Sequence, residues 1–257
     1  MAATGLKIAD GASGVRILSL DRSDRLNAID MPMIRALEGA LEEAAADSRV
    51  RAIVLRGEGR AFCAGDDVVA QSAICHEGEV ALRRQLQSLQ RISELLTLGD
   101  KPTVVAVRRW AIGAGFSWVL NCDCAVWGVS AQGFFPEASF GSFVTGGATW
   151  LLPEMVGRRL AYDMVSLGRQ IDGETALAHG LATRCVPDEA VDEAALEIAA
   201  TLAGLPEHSL RLLKRALNEA QAAGFQAALR AETEACVATT LDPATLKRMR
   251  DAIEKKV

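Results

Sequence analysis

Apolar residues recur along this chain at two spacings, and glycines, prolines and capping residues mark where one spacing gives way to the other. Val15 to Leu20 alternates enough to predict a strand, and Arg51 to Arg56 predicts the next. Between them Asp21 to Asp30 is polar. Asp30 is placed to cap a helix with Pro32 in its first turn and Ile34, Leu37, Leu41 and Ala45 on one face, ending near Ser48. A Gly57-Glu58-Gly59 turn leads into the run Ala61-Phe62-Cys63-Ala64-Gly65. From Val80 a long amphipathic helix should turn Leu82, Leu86, Leu89, Ile92 and Leu96 inward, with Gly99 to end it. Val104 to Val107 is a short β-branched run that predicts a buried strand, Ala114 to Asn121 a buried helix, and Cys124 to Val129 another strand. Strand, helix, strand, helix, strand in that order is the signature of an α/β fold.

Further on, Gly146-Gly147 precedes a helical segment that Pro153 should interrupt, and Asp172 caps a short helix closed by Gly180. After Pro187 helical spacing is nearly continuous, with Leu205-Pro206 as the one clear break. The chain therefore divides into a core, residues 1–187, and a C-terminal helical region, residues 188–257. Apolar residues of that region, among them Leu210, Leu213, Ala216, Phe225 and Leu229, must pack on the body or on another subunit.

Composition narrows the function. Half of the 257 residues are apolar, enough for one large core, yet no stretch approaches the length of a membrane span, and Met1 to Gly11 lacks the blocks of a signal peptide. A soluble, cytoplasmic protein is expected. The net charge of −5, with both signs interspersed, gives no footprint for nucleic acid and favours small organic ligands. Six cysteines (Cys63, Cys75, Cys122, Cys124, Cys185, Cys236) form no C-x-x-C pair, and the histidines (His76, His179, His208) are far apart, so free thiols and metal-free chemistry are expected.

The candidate chemistry centres on Gly113-Ala114-Gly115, at the junction between the Val104 strand and the Ala114 helix. Glycines there allow a sharp turn and close approach, and the first helical turn offers unpaired N–H groups to an anion. A dinucleotide fingerprint would need glycine where Trp118 stands. A nucleophile elbow would need glycine where Val119 ends Gly115-Phe116-Ser117-Trp118-Val119, and no motif ties a histidine to Ser117.

Four segments, Arg25-Leu26-Asn27-Ala28, Ala61 to Asp67, Ile112 to Gly115, and Phe135-Pro136-Glu137 followed by Gly146 to Pro153, resemble in order and spacing the enoyl-CoA hydratase/isomerase (crotonase) superfamily, over about Val15 to Pro187. The resemblance implies a superhelix of ββα units with a C-terminal helical trimerisation region, a homotrimer or hexamer, and acyl-CoA thioesters of the fatty-acid-metabolism kind as substrate. Coenzyme A would enter as part of that substrate, with no other cofactor. It further implies that the backbone N–H groups of Asp66 and Ala114 hold the thioester oxygen, and that Arg25, Ala28, Ala64 and Asp66 contact CoA, Arg25 through a phosphate.

Of the family's catalytic carboxylate positions, the one after the glycine turn is Ser117 here, a third aligns with Thr145, and only Glu137 is kept. Hydration usually shares its proton work between two carboxylates, whereas one base can take and return a proton to move a double bond. The pattern therefore favours an enoyl-CoA isomerase with Glu137 as acid/base, its pKa raised among Phe134, Phe135 and Phe140, and with Ser117 as a contact to water or substrate. The alternatives are an enoyl-CoA hydratase of low efficiency, an inactive CoA-binding oligomeric module, and a serine hydrolase. Asp66 should point away from the anion or towards the acyl group, and His76 to Arg91 should shape the acyl pocket.

Overall fold

A computed structural model of the chain describes residues 4–254. The strands are β1 (Leu6–Asp10), β2 (Val15–Leu20), β3 (Ala52–Gly57), β4 (Thr103–Val107), β5 (Trp110–Ile112), β6 (Cys124–Gly128), β7 (Gln132–Phe134), β8 (Ile171–Asp172) and β9 (Arg184–Val186). The α-helices are α1 (Met31–Ala46), α2 (Val68–Glu77), α3 (Glu79–Leu98), α4 (Ala114–Asn121), α5 (Glu137–Phe140), α6 (Ala148–Val156), α7 (Arg158–Ser166), α8 (Gly173–Ala178), α9 (Val191–Gly204), α10 (Glu207–Thr240) and α11 (Pro243–Glu254).

Six strands form one sheet in the order β1-β2-β3-β4-β6-β9, parallel throughout except for the antiparallel edge strand β1. A smaller sheet, β5-β7-β8, forms a second layer. The chain alternates between them: β4 then β5 then α4, and β6 then β7 then α5. One unit earlier, β3 is followed by a bridge from Cys63 to Ala111 of β5 and then by α2. This is the superhelix of ββα units expected from the motifs.

β4 is buried at every position, and apolar after Thr103, because helices cover both sheet faces. Val104 and Ala106 join Ala52, Val54 and Val126 beneath α9, while Val105 and Val107 face the main core with Leu18, Leu20, Leu55 and Trp127. The first helix after Pro187 is thus a wall of the core. α10 is also tied in: the buried Lys214 ammonium donates to the carbonyls of Leu96 and Lys101 and to Asp123, and buried Glu232 accepts from the N–H groups of Gly147 and Thr149 at the start of α6. A carboxylate at a helix N-terminus is electrostatically favoured.

Asp30 caps α1 through the Met33 N–H, and the helix ends at Ala46. Its inward face is Ile34, Leu37, Leu41 and Ala44; Ala45, expected on that face, is exposed, because the 3.6-residue turn brings i+3 after Leu41 onto the core side. α6 runs through Pro153 to Val156 and stops at Gly157 instead of breaking at the proline. The segment before the long helix is itself helical, with Gly78 at φ 95° separating α2 from α3.

Candidate active site

The backbone builds the centre of the site first. β5 pairs on one side with the Ala61–Cys63 run, through Cys63 N–H to the Trp110 carbonyl and Ile112 N–H to the Cys63 carbonyl, and on the other with β7, ending in Gly113 N–H to the Phe134 carbonyl. Two to three residues beyond the Cys63–Ala111 bridge, both segments turn together, one at Gly65-Asp66 and the other at Gly113-Ala114. Gly65 (φ 78°) lies so close that a β-carbon there would stand 2.7 Å from the Ile112 carbonyl oxygen. Gly113 has φ 53° and ψ −123°, a conformation open to glycine and costly for other residues. Ala114 is the first residue of α4, so its N–H has no intrahelical acceptor. Among the described residues neither this N–H nor that of Asp66 donates to a side chain or to another segment of backbone.

Glu137 is brought to the same spot from β7. Phe135 is fully buried against Phe116 at 4.9 Å between ring centroids, and Phe116 packs edge-on to Trp127 at 5.9 Å. With that anchor fixed, the Glu137 side chain projects over the glycine turn: a β-carbon on Gly113 would stand 2.5 Å from Glu137 Oε1. Its Oε2 is buried without a hydrogen-bond partner. Burial, and to a lesser degree the negative charge of Asp66, pushes the Glu137 carboxyl up to about 8 from an ordinary value of 4.5.

These groups open onto a cavity of about 630 Å³. Arg25, Leu26, Ala28, Ala64 and Asp66 form one part of its wall, Gly113, Phe134, Pro136, Glu137 and Thr145 a second, and residues of α2, α3, α10, α11 and the segment 140–143 complete it. The four residues expected to contact CoA all line it. The Arg25 side chain is 65% exposed at the rim, and its one ion pair among the described residues is with Asp24 at 3.8 Å. The Arg25–Ala28 loop is held against the Ala61–Asp67 run by Asn27, which is fully buried and donates to the carbonyls of Glu58, Ala61 and Phe62. Ile29 N–H to Gly65 and Asp67 N–H to Ile29 extend that contact. Asp67 caps α2 and pairs with Arg22 at 3.0 Å, which turns it away from reaction chemistry.

Asp66 points into the cavity. Solvent reaches it through the cavity, while protein atoms crowd it on its other sides. That confinement, with the neighbouring charge of Asp67, raises its carboxyl to about 6. Glu137, Asp66 and the Arg22-paired Asp67 all line this cavity, and of the two directions expected for Asp66 it takes the one into the cavity.

Ser117 does not fit its expected role. It is 1% exposed and absent from the cavity wall, and its hydroxyl donates to the Thr145 carbonyl at 2.7 Å. Thr145 itself lines the cavity. No histidine among the described residues does, so a serine–histidine pair has no place here. All six cysteines are free, and burial pushes the one cysteine on the wall, Cys236, up to about 12, which keeps it a neutral thiol. From His76–Arg91 only Gln85, Leu86 and Leu89 reach the wall.

Comparison with known proteins follows the same lines. The sequence profile of the family described as "Enoyl-CoA hydratase/isomerase" matches residues 10–256. The 1,2-epoxyphenylacetyl-CoA isomerase of Escherichia coli (strain K12) is 32% identical over 213 residues, 81% of this chain and 80% of that protein. The 2,3-dehydroadipyl-CoA hydratase of the same organism is 31% identical over 225 residues, 86% of this chain and 84% of that one. Among solved structures, an enoyl-CoA hydratase/isomerase from Xanthobacter autotrophicus Py2 has a TM-score of 0.90 at 28% identity, over 97% of this chain and 93% of that chain. The two curated relatives bear the names of different reactions, so likeness alone does not choose between them.

Proposed function

This chain belongs to the enoyl-CoA hydratase/isomerase family, and we propose that within it the protein is an enoyl-CoA double-bond isomerase with Glu137 as the acid/base. In this reading a 3-enoyl-CoA lies with its thioester oxygen between the amides of Asp66 and Ala114. The Glu137 carboxylate takes a proton from C2, the C–H electron pair becomes the C1=C2 bond of a dienolate, and the carbonyl pair moves onto oxygen. When the carbonyl re-forms, the C1=C2 pair shifts to C2=C3 and the C3=C4 pair takes the proton back from Glu137 at C4. The carboxylate is regenerated and no other reactant is consumed. Donors fixed in advance on a developing oxyanion stabilise it without reorganisation.

The observation that carries this reading is the Glu137 carboxyl against Gly113, its Oε2 unpartnered and its pKa near 8, so both its charged and its neutral form are accessible close to neutral pH. Ser117, tied to Thr145, supplies no second carboxylate. A second reading, hydration of a 2-enoyl-CoA, draws support from Asp66, whose carboxyl shares the cavity and titrates lower than Glu137. Two carboxyl groups with separated pKa values are the usual equipment of acid–base chemistry.

The test is turnover of 2-enoyl, 3-enoyl and aromatic CoA thioesters in D₂O, read by mass spectrometry. A 2-enoyl product from the 3-enoyl thioester supports isomerisation. Addition of water to the 2-enoyl thioester assigns hydration, and no product and no exchange with any thioester overturns both. We also propose that the exposed Leu212, Leu213 and Leu217 on α10 meet another copy of the chain in a homotrimer or hexamer. A monomer by light scattering would refute it.

A further inference from the structure

Gln85 is the polar residue of α3 that the chemistry above leaves unused. It lies three residues after Leu82 and four before Leu89, on the face that also carries Leu86, and it is 3% exposed. Its side-chain amide makes no hydrogen bond to protein among the described residues, and its Oε1 is buried without a partner. Gln85 lines the cavity, in company with Leu86, Leu89, Cys236, Thr240 and Met249.

The same helix supplies a control. Gln90, 7% exposed, is fully used: its Nε2 donates to the Leu229 carbonyl and to Thr233, and its Oε1 accepts from Gly146 N–H. Buried polar groups are normally paired in this way, and one left without a protein partner on a ligand cavity is costly to the fold. An apolar residue at 85 would continue the stripe of Leu82, Leu86 and Leu89 at no such cost. Polar groups set singly into apolar pockets are what orient a ligand and select it.

We infer that Gln85 is a specificity-determining residue, and that the acyl group taken by this site carries a hydroxyl group on its chain, which the Gln85 amide binds. The amide offers one kind of donor and one acceptor, and a hydroxyl both donates and accepts, so it matches the amide in either of its two orientations. A plain alkyl chain would bury the amide without a partner. This assignment rests on the reading that the cavity takes CoA thioesters.

The experiment is calorimetric titration of the full chain with saturated thioesters, which cannot isomerise: hexanoyl-CoA against 4-, 5- and 6-hydroxyhexanoyl-CoA, with free CoA as reference. Wild type and Gln85→Met are compared, because methionine keeps the length and helix propensity of glutamine and removes the amide. A site built around a hydroxyl discriminates strongly against the analogue lacking it, so at least one hydroxylated chain should bind wild type about tenfold tighter than hexanoyl-CoA or better. In Gln85→Met that advantage should vanish while free CoA binds as before, and the melting temperature should hold or rise. Wild type that binds hexanoyl-CoA as tightly as every hydroxylated chain overturns the assignment, as does an advantage that persists in the variant. A variant that melts well below wild type overturns it too, since the amide would then be partnered within the fold. Failure of CoA and of every thioester to bind is a different result, and it overturns the CoA reading itself.

Discussion

The cavity has two differently made parts. Around Asp66, Gly113 and Glu137 the backbone does the placing: paired strand ends turn at Gly65 and Gly113, and Phe135 anchors the carboxylate that overhangs them. Across the cavity, Gln85, Leu86, Cys236, Thr240, Met249 and Ile253 are side chains on α3, α10 and α11, drawn together from distant parts of the sequence. The first part should be rigid, since moving any group in it breaks sheet hydrogen bonds or forces strained backbone. The second can change by substitution without disturbing the turn.

Substitutions at the first part should act on rate. Glu137→Gln removes the proton acceptor and keeps the shape, so isomerisation should fall by about 10² to 10⁴ while thioester binding, measured by calorimetry, stays close to wild type. Gly113→Ala comes next: the added methyl would stand 2.5 Å from Glu137 Oε1 at a φ of 53° that suits glycine, so kcat should drop by about 10² with the fold retained in a thermal melt.

The pH dependence sharpens the comparison between the two carboxyl groups. With Glu137 as base, kcat/KM should rise with pH through about 8, and Asp66→Asn, by removing a charge that raises Glu137, should move that rise to lower pH. Stability follows the opposite sign. A carboxyl whose folded pKa is raised contributes stability that is complete below its unfolded value of 4.5 and lost as pH climbs through about 8. Glu137→Gln should therefore gain on wild type in melting temperature as pH rises across that window. The smallest effect is expected at Ser117, whose hydroxyl serves the Thr145 carbonyl: Ser117→Ala should cost about 1 kcal/mol of stability and leave turnover within about threefold of wild type.

The same division explains what could be read from the sequence. The glycine-turn part rests on signals local to a few residues, the β-branched Val104–Val107 run, the glycines at 113 and 115, and Phe135-Pro136-Glu137, so the turn and the carboxylate beside it are legible in the sequence. The helical part of the wall depends on which helix faces meet. Gln85 occupies an inward position of a leucine stripe, a signal visible in the pattern, but its lack of a partner emerges only when α10 and α11 are in place. The bonds made by Asn27, which the sequence marks only as part of a motif, and by Glu232 are hidden for the same reason, their partners lying far along the chain. β1 leaves no signal on different grounds: most of it is exposed, so no alternation of apolar residues marks it. Ser117 was placed on the cavity by its motif position, and the structure turns it instead to the Thr145 carbonyl.

The central claim is that a single carboxyl group takes a proton from one carbon and returns it to another. It is tested most directly with 3-enoyl-CoA carrying deuterium at C2, converted in ordinary water under single-turnover conditions, with the 2-enoyl product analysed for label at C4. A shuttling Glu137 predicts that a measurable fraction of the deuterium removed from C2 reappears at C4, and that Glu137→Gln forms no labelled product in the same time. Complete loss of the removed deuterium to solvent, or label transfer that survives in Glu137→Gln, would contradict the account.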